Sequence, residues 1–195
     1  MTDVAVLVGS LRRDSINRKL ALALGKLASP RLDLRIVELG DVPMYNDDLF
    51  PNVPEAVLRM KREIETADAV LFVTPEYNRS FPAVLKNAID WGTRPYGQNA
   101  FSAKPGGLVG TSPGGTGAAA GQNHLKSVLN VVDVVLMGQP EVYLVWKAED
   151  FAEDGTIRND HTREFLGRYV DRFVKWIERT SEPKTSAQAD ANGTN

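Results

Sequence analysis

A chain of 195 residues fits one domain and is large enough to bury a core without disulfides or structural metal. With 43% hydrophobic and 25% charged residues and a formal net charge of -2, it reads as globular, and it offers no electrostatic ground for nucleic acid or an anionic membrane surface as partner. Cysteine is absent, which excludes disulfides, thiolate metal sites, iron–sulfur clusters and a cysteine nucleophile, and no apolar run approaches the ~18 residues a membrane span requires.

Residues 4–9 form a short apolar run that predicts a buried strand; it is too short for the apolar core of a secretory signal, so a cytoplasmic location is expected. Ser10-Leu11-Arg12-Arg13-Asp14 then leads into a helix whose apolar positions, Ile16, Leu20, Ala23, Leu24 and Leu27, recur at helical spacing. Ser15 is placed to cap it, yet Arg18 stands where a capping box has Glu or Gln. Arg12, Arg13, Arg18 and Lys19 crowd the positive end of the helix dipole against Asp14 alone. The residues leave two readings open. One is a cradle for an external phosphate, with Ser10, Ser15 and Asn17 donating neutral hydrogen bonds and Arg12 a charged one. The other is a capped helix with solvated arginines. Neither G-x-x-x-x-G-K-[ST] nor G-x-G-x-x-G occurs here, which argues against an ATP loop and the dinucleotide fingerprint.

A second strand over 32–39 is followed by Phe50-Pro51-Asn52-Val53-Pro54, a stiff loop able to overhang the site of a neighbouring subunit, and by a helix carrying Val57, Met60 and Ile64. The third strand, 69–74, ends in Thr74-Pro75-Glu76-Tyr77-Asn78-Arg79-Ser80-Phe81-Pro82. Prolines stiffen both ends, so the backbone between them can present amides and carbonyls to a planar heterocycle while Tyr77 supplies an apolar wall; the alternative is a solvated turn with Ser80 as cap. A helix over 83–91 follows. Trp91 reads as packing, and Arg94-Pro95-Tyr96 as the rim of a substrate mouth or a subunit contact.

The fourth strand, 106–111, runs into Thr111-Ser112-Pro113-Gly114-Gly115-Thr116-Gly117, where glycine lets backbone approach a ligand or simply makes a flexible connection. Gly110-Thr111-Ser112-Pro113-Gly114 imitates the G-x-S-x-G nucleophile elbow, with Asp133 and His161 following in hydrolase order. That reading fails because the oxyanion hole needs the backbone N–H after the nucleophile, and Pro113 has none. His124 and His161 lack metal-ligand spacing and read as structural. A helix around Leu125, Val128 and Leu129, a weak fifth strand near 142–145, and a helix with Phe165, Leu166, Tyr169, Val170, Phe173, Val174 and Ile177 on one stripe complete the pattern. Residues 1–180 are thus expected as one domain and the polar stretch 181–195 as a disordered tail. Apolar runs alternating with helical segments predict an α/β fold with a parallel sheet of order 2-1-3-4-5, whose ligand site lies where that order reverses.

Two motifs carry a resemblance. Gly9-Ser10-Leu11-Arg12 with Ser15 and Asn17, together with Pro75-Glu76-Tyr77-Asn78, Ser80, Pro82 and Leu85-Lys86-Asn87-Ala88-Ile89-Asp90-Trp91, resemble the NAD(P)H-dependent FMN reductases, particularly the quinone and chromate reductase branch. The similarity spans about residues 4–173. It implies a flavodoxin-like three-layer α/β/α sandwich with a five-stranded sheet and a non-covalently bound FMN. Ser10, Arg12, Ser15 and Asn17 would hold the phosphate with Leu11 beside them, while Pro75, Glu76, Tyr77 and Asn78 would cradle the ring largely through backbone. Ser112 and Gly115 would close over its other edge. No protein residue would be catalytic, because FMN carries the chemistry, passing electrons from NADPH or NADH to a quinone, flavin, azo compound or chromate by ping-pong turnover. Relatives form homodimers and some homotetramers; Ala120 and Asn123 stand where an arginine and a tyrosine make the tetramer contact, so a dimer is the expected assembly. The residues also leave open a flavodoxin-type electron carrier, although such carriers have a Thr-Gly-rich loop and an acidic face absent here, and a flavin-binding regulatory protein without turnover.

Overall fold

The uniformly apolar strands lie at the centre of the sheet, where both faces are covered. The computed structural model describes residues 1–181, so the predicted tail lies, apart from Ser181, outside the described residues. Three strands form the middle: β1 (Thr2–Val8), β3 (Ala69–Thr74) and β4 (Pro105–Ser112), with β2 (Leu32–Ile36) at one edge. The order is β2-β1-β3-β4 with every pairing parallel, Val4 lying opposite both Leu34 and Ala69. The fifth position departs from expectation. Two short strands share it: β5 (Val135–Leu136) pairs with Pro105 and Gly106 at the start of β4, and β6 (Tyr143–Val145) with Gly110 to Ser112 at its end. The predicted strand near 142–145 is the second half alone; Gly138 and Pro140 interrupt the run between, and a proline cannot donate to the ladder.

The helices fall on two faces. On one, α1 (Ile16–Ala28) and α5 (Asp160–Thr180) bury Leu20, Leu24, Leu166, Tyr169 and Phe173 against Val4, Val6, Leu71 and Val109. On the other, α2 (Glu55–Thr66), α3 (Ala83–Gly92) and α4 (Ala119–Val131) bury Met60, Ile64, Leu85, Ile89, Leu125 and Leu129 against Leu7, Val70 and Phe72. Each large apolar side chain fully buried in this way contributes about 1.5–3 kcal/mol. Ser181 caps α5, its amide donating to the Ile177 carbonyl at 2.8 Å. Phe50 does not reach outward: it sits in a short 3-10 turn (Asp47–Asn52) with its ring edge-on to Trp91 at 5.8 Å. Trp91 is core, as read, and its indole N–H donates to the Pro43 carbonyl at 2.8 Å. Among the described residues no helix is long and apolar enough to cross a membrane.

Candidate functional site

Because β1 feeds α1 on one face and β3 feeds α3 on the other, the loops after these adjacent strands diverge and leave a crevice at their carboxyl ends. Gly9 brings the two loops together. A Cβ there would lie 2.8 Å from Pro82, 2.9 Å from Leu85 and 3.0 Å from Pro75, so only a bare backbone lets both prolines of the second loop close over the first. The cavity between them is about 270 Å³.

The first wall is the start of α1. Ser15 accepts the Arg18 amide on its Oγ at 3.2 Å, which makes it the N-cap and leaves its O–H free to donate. Ahead of the first intrahelical bond, the amides of Ile16 and Asn17 remain as donors at the positive end of the helix. Arg12, Arg13, Arg18 and Lys19 make no ion pair among the described residues, and only Arg12 of the four lines the cavity. Asn17 lines it too, but its buried carboxamide is already engaged on both sides: Nδ2 donates to the Thr111 carbonyl at 3.0 Å and Oδ1 accepts the Thr111 amide at 3.1 Å. It therefore straps α1 to the end of β4.

The second wall is a two-residue hairpin. Tyr77 and Ser80 exchange backbone hydrogen bonds of 2.9 and 3.0 Å, and Asn78 and Arg79 between them both have positive φ, 51° and 65°, as a type I′ turn demands. Ser80 thus closes the turn; α3 itself begins after Pro82 without a side-chain cap. Glu76, with a side chain only 9% exposed, turns its Oε2 to the amides of Ala120 at 2.9 Å and Gly121 at 3.4 Å. Helix α4 has no capping side chain or first-turn acid of its own, so Glu76 supplies its negative charge from 44 residues away and ties the second wall to the third. The third wall is Thr111-Ser112-Pro113, where Ser112 Oγ accepts the Gly114 amide at 3.1 Å. No histidine lines the crevice, so this serine has no base beside it. His124 instead meets Ser80 Oγ at 3.2 Å on the outer side of α4.

Of the residues singled out from sequence, the cavity brings together Ser10, Arg12, Ser15, Asn17, Pro75, Glu76, Tyr77 and Ser112. Leu11, Asn78 and Gly115 are not among its lining residues: Leu11 is exposed at the lip, Asn78 sits at the hairpin tip, and Gly115 has open space beside it. Ile16, Thr111 and Pro113 line it without having been singled out, although all three flank residues that were. The motif around α3 acts at one remove. Asn87 donates to the Pro43 carbonyl at 2.9 Å and accepts the Tyr45 amide at 2.7 Å, and with Trp91 it pins the loop after β2 beside the crevice.

A larger cavity, about 630 Å³, lies at the other end of α3 and α4, lined by Ile89, Val128, Val131 and Val132 together with Thr93, Asn99 and Ser127, and with the Lys86–Asp90 ion pair, Arg94 and Tyr96 at its border. Val131 is 83% and Tyr96 95% exposed. Lys61 fixes the loop beyond α3: its buried ammonium donates to the carbonyls of Gly92, Arg94 and Gln98, and burial lowers its pKa. The groove's neutral donors are already engaged inside the fold, Thr93 Oγ1 on the Asp90 carbonyl, Asn99 Nδ2 on that of Val132 and Ser127 Oγ on that of His124, whereas in the crevice the Ser15 hydroxyl and the first-turn amides are left to donate. Ser10, Ser15, Arg12 and the first-turn amides suit a phosphate monoester, and the proline-stiffened backbone at 75–77 suits the edge of a flat polar ring. The residues present therefore fit FMN.

Comparison with known proteins agrees with that fit. A sequence profile described as NADPH-dependent FMN reductase matches residues 2–148. A quinone reductase of Pseudomonas putida is 51% identical over 176 residues, covering 90% of this chain and 94% of its own. A 2-hydroxy-1,4-benzoquinone reductase of a Burkholderia species is 44% identical over 174 residues, covering 89% of this chain and 95% of its own. Among solved structures, the flavoenzyme NAD(P)H:(acceptor) oxidoreductase FerB of Paracoccus denitrificans superposes with a TM-score of 0.92 at 53% identity, over 93% of this chain and 100% of that one.

Proposed function

This chain belongs to the NADPH-dependent FMN reductase family, and from that premise we propose that the crevice between the loops after β1 and β3 is its flavin site and that quinones are its acceptors. It is an FMN-dependent oxidoreductase that draws electrons from NAD(P)H. When bound, FMN supplies the two-electron redox chemistry between nicotinamide and acceptor. Ser10, Arg12, Ser15 and the amides that open α1 hold the phosphate, and Arg12 adds the charged hydrogen bond. Asn17 keeps the first wall in register with the third through Thr111. Pro75, Glu76 and Tyr77 orient the ring, Asn78 completes the turn that shapes them, and Ser112 borders the opposite edge with Gly115 behind it. Leu11 at the lip and the half-exposed Tyr77 offer apolar surface that excludes water on the solvent side. No side chain in the crevice is asked to act as nucleophile or base. Donor and acceptor share one opening in turn, which gives parallel double-reciprocal lines.

Quinone reduction is supported by the relatives' names; free flavins take the same two electrons, whereas azo compounds, at four electrons to the amines, and chromate, at three to Cr(III), would draw on more than one turnover. The apolar groove between α3 and α4, with Val131 and Tyr96 exposed beside it, supports a homodimer formed by two copies of that face. The second contact of a homotetramer lacks its arginine and tyrosine, since Ala120 and Asn123 stand there. The absence of cysteine and the nicotinamide chemistry support a cytoplasmic location.

The observation that carries this reading is the pairing across one crevice of the Ser10–Arg12–Ser15 anion cradle with the Pro75–Tyr77 ring wall, closed by the bare backbone of Gly9. An absorbance spectrum of the purified protein tests it. Flavin bands that bleach with anaerobic NADPH or NADH and return on adding a quinone are expected. A yellow protein inert to both nucleotides is an electron carrier or a regulatory protein, and a protein that stays colourless in excess FMN overturns the site itself.

A further inference from the structure

The hairpin tip contains a residue that the turn does not want. A type I′ turn needs left-handed backbone at both central positions; Asn tolerates it, and the second position ordinarily falls to Gly. Here Arg79 holds it at φ 65°. A non-glycine residue in that region costs free energy that the surroundings must offset, and such positions concentrate at functional sites. Among the described residues the guanidinium has no close partner that would offset that cost. Its side chain is 75% exposed, and its one polar contact among the described residues is a long, exposed ion pair of 3.4 Å with Glu76 Oε1, of a kind that contributes little, while Glu76 Oε2 holds the amides of α4.

Its location indicates a role. Glu76 and Tyr77, immediately before the tip, line the crevice. The cations of the opposite wall, Arg12, Arg13 and Arg18, surround the end of α1 where the phosphate of FMN belongs. On the ring side Arg79 is the cation of the turn, loosely paired at 3.4 Å, whereas the nearby Lys86 is held by both carboxylate oxygens of Asp90 at 2.7 and 2.8 Å. A reduced nicotinamide dinucleotide lying over the ring brings its own phosphates to the crevice mouth, and they need a positive partner that the flavin has not taken.

We propose that Arg79 is a specificity-determining residue for the electron donor, its guanidinium binding a phosphate group of the nicotinamide dinucleotide at the rim of the second wall. The proposal rests on the reading that this crevice takes FMN and NAD(P)H. The bound group is either the pyrophosphate common to both dinucleotides or the 2′-phosphate of NADPH. In the free protein the exposed arginine is retained at the cost of turn strain, because substrate recognition requires it there.

The strain makes the test selective. Arg79→Gly relieves the turn, so its melting temperature is expected to equal or exceed that of the parent; Arg79→Asn is the second variant tolerated at positive φ, and Arg79→Lys keeps the charge. In FMN-loaded protein at low salt, Arg79→Gly and Arg79→Asn should raise the KM for NADPH and the calorimetric Kd for NADP+ by roughly fivefold, as expected of one rim charge. Arg79→Lys should recover most of the affinity, the KM for a neutral quinone should not move, and the defect should shrink at ~1 M salt. An equal loss with NADH identifies the pyrophosphate, and a loss confined to NADPH identifies the 2′-phosphate. Unchanged KM and Kd for both nucleotides in a variant that melts no lower than the parent overturn the proposal. A fall in melting temperature in both Arg79→Gly and Arg79→Asn overturns the strain argument. Parent protein that holds FMN but oxidises neither nucleotide fails the functional reading instead, which separates the two failures.

Discussion

The crevice at the head of α1 and the groove between α3 and α4 are opposite in kind. The groove is the larger, about 630 Å³ against about 270 Å³, and mixes valine and isoleucine with Thr93, Asn99 and Ser127 and the Lys86–Asp90 pair. The crevice is small, yet one capping serine, one unpaired arginine and the first-turn amides of a helix converge on it from one side and a stiffened backbone from the other. Volume is therefore not what sets the crevice apart. What distinguishes the two is whether donors left over by the fold point at a common spot. In the groove Thr93, Asn99 and Ser127 are engaged on backbone carbonyls and the valines lie open, which suits a second protein face; in the crevice the first-turn amides and the Ser15 hydroxyl are left as donors, which suits a ligand.

Flavin affinity measured in both regions tests that contrast. The largest effect is expected from Gly9→Ala. The new Cβ meets Pro82, Leu85 and Pro75 at 3.0 Å or less, so the walls must part, with about 1–3 kcal/mol lost from stability and FMN no longer retained through gel filtration. Arg12→Ala should come next, weakening FMN by about 1.5–3 kcal/mol in an equilibrium titration of apoprotein while the melting temperature of that apoprotein stays put. An unchanged Kd would move the phosphate elsewhere. Glu76→Gln should be smaller: it keeps the shape but removes the charge from the α4 terminus, worth about 0.5–1 kcal/mol in denaturant unfolding, with a modest loss of flavin affinity as the second and third walls loosen. At the low end, Val131→Glu in the groove should leave the FMN dissociation constant within error while light scattering shows the assembly shifting toward monomer. If Val131→Glu releases flavin as readily as Arg12→Ala does, the two regions are not independent and the contrast fails.

The sequence reading recovered the central strands because a strand covered on both faces has to be apolar throughout, and Val4 to Val8 and Ala69 to Val73 are. It found the head of α1 because a cap and an excess of cations are local facts written within a few residues of each other. It missed β5 and the division of the fifth strand, since Val135 and Leu136 are too few to form a pattern and acquire strand character only by pairing with Pro105 and Gly106. It assigned Asn17 to a ligand and Glu76 to backbone contacts. The structure engages both ends of the first on Thr111 and gives the second a helix terminus at Ala120, contacts 94 and 44 residues distant. Nor could it show that Phe50 turns inward onto Trp91.

The chain's own pattern thus determined the class of fold, the strand order and the cap and excess of cations at the head of α1, because these follow from alternation of apolar runs and helical segments, capping and charge along the chain. Only the tertiary structure decided which polar side chains remain free for a ligand and which are consumed in joining one wall to the next. That choice depends on which distant backbone groups packing brings within hydrogen-bond distance, a property of the assembled layers that no local stretch contains.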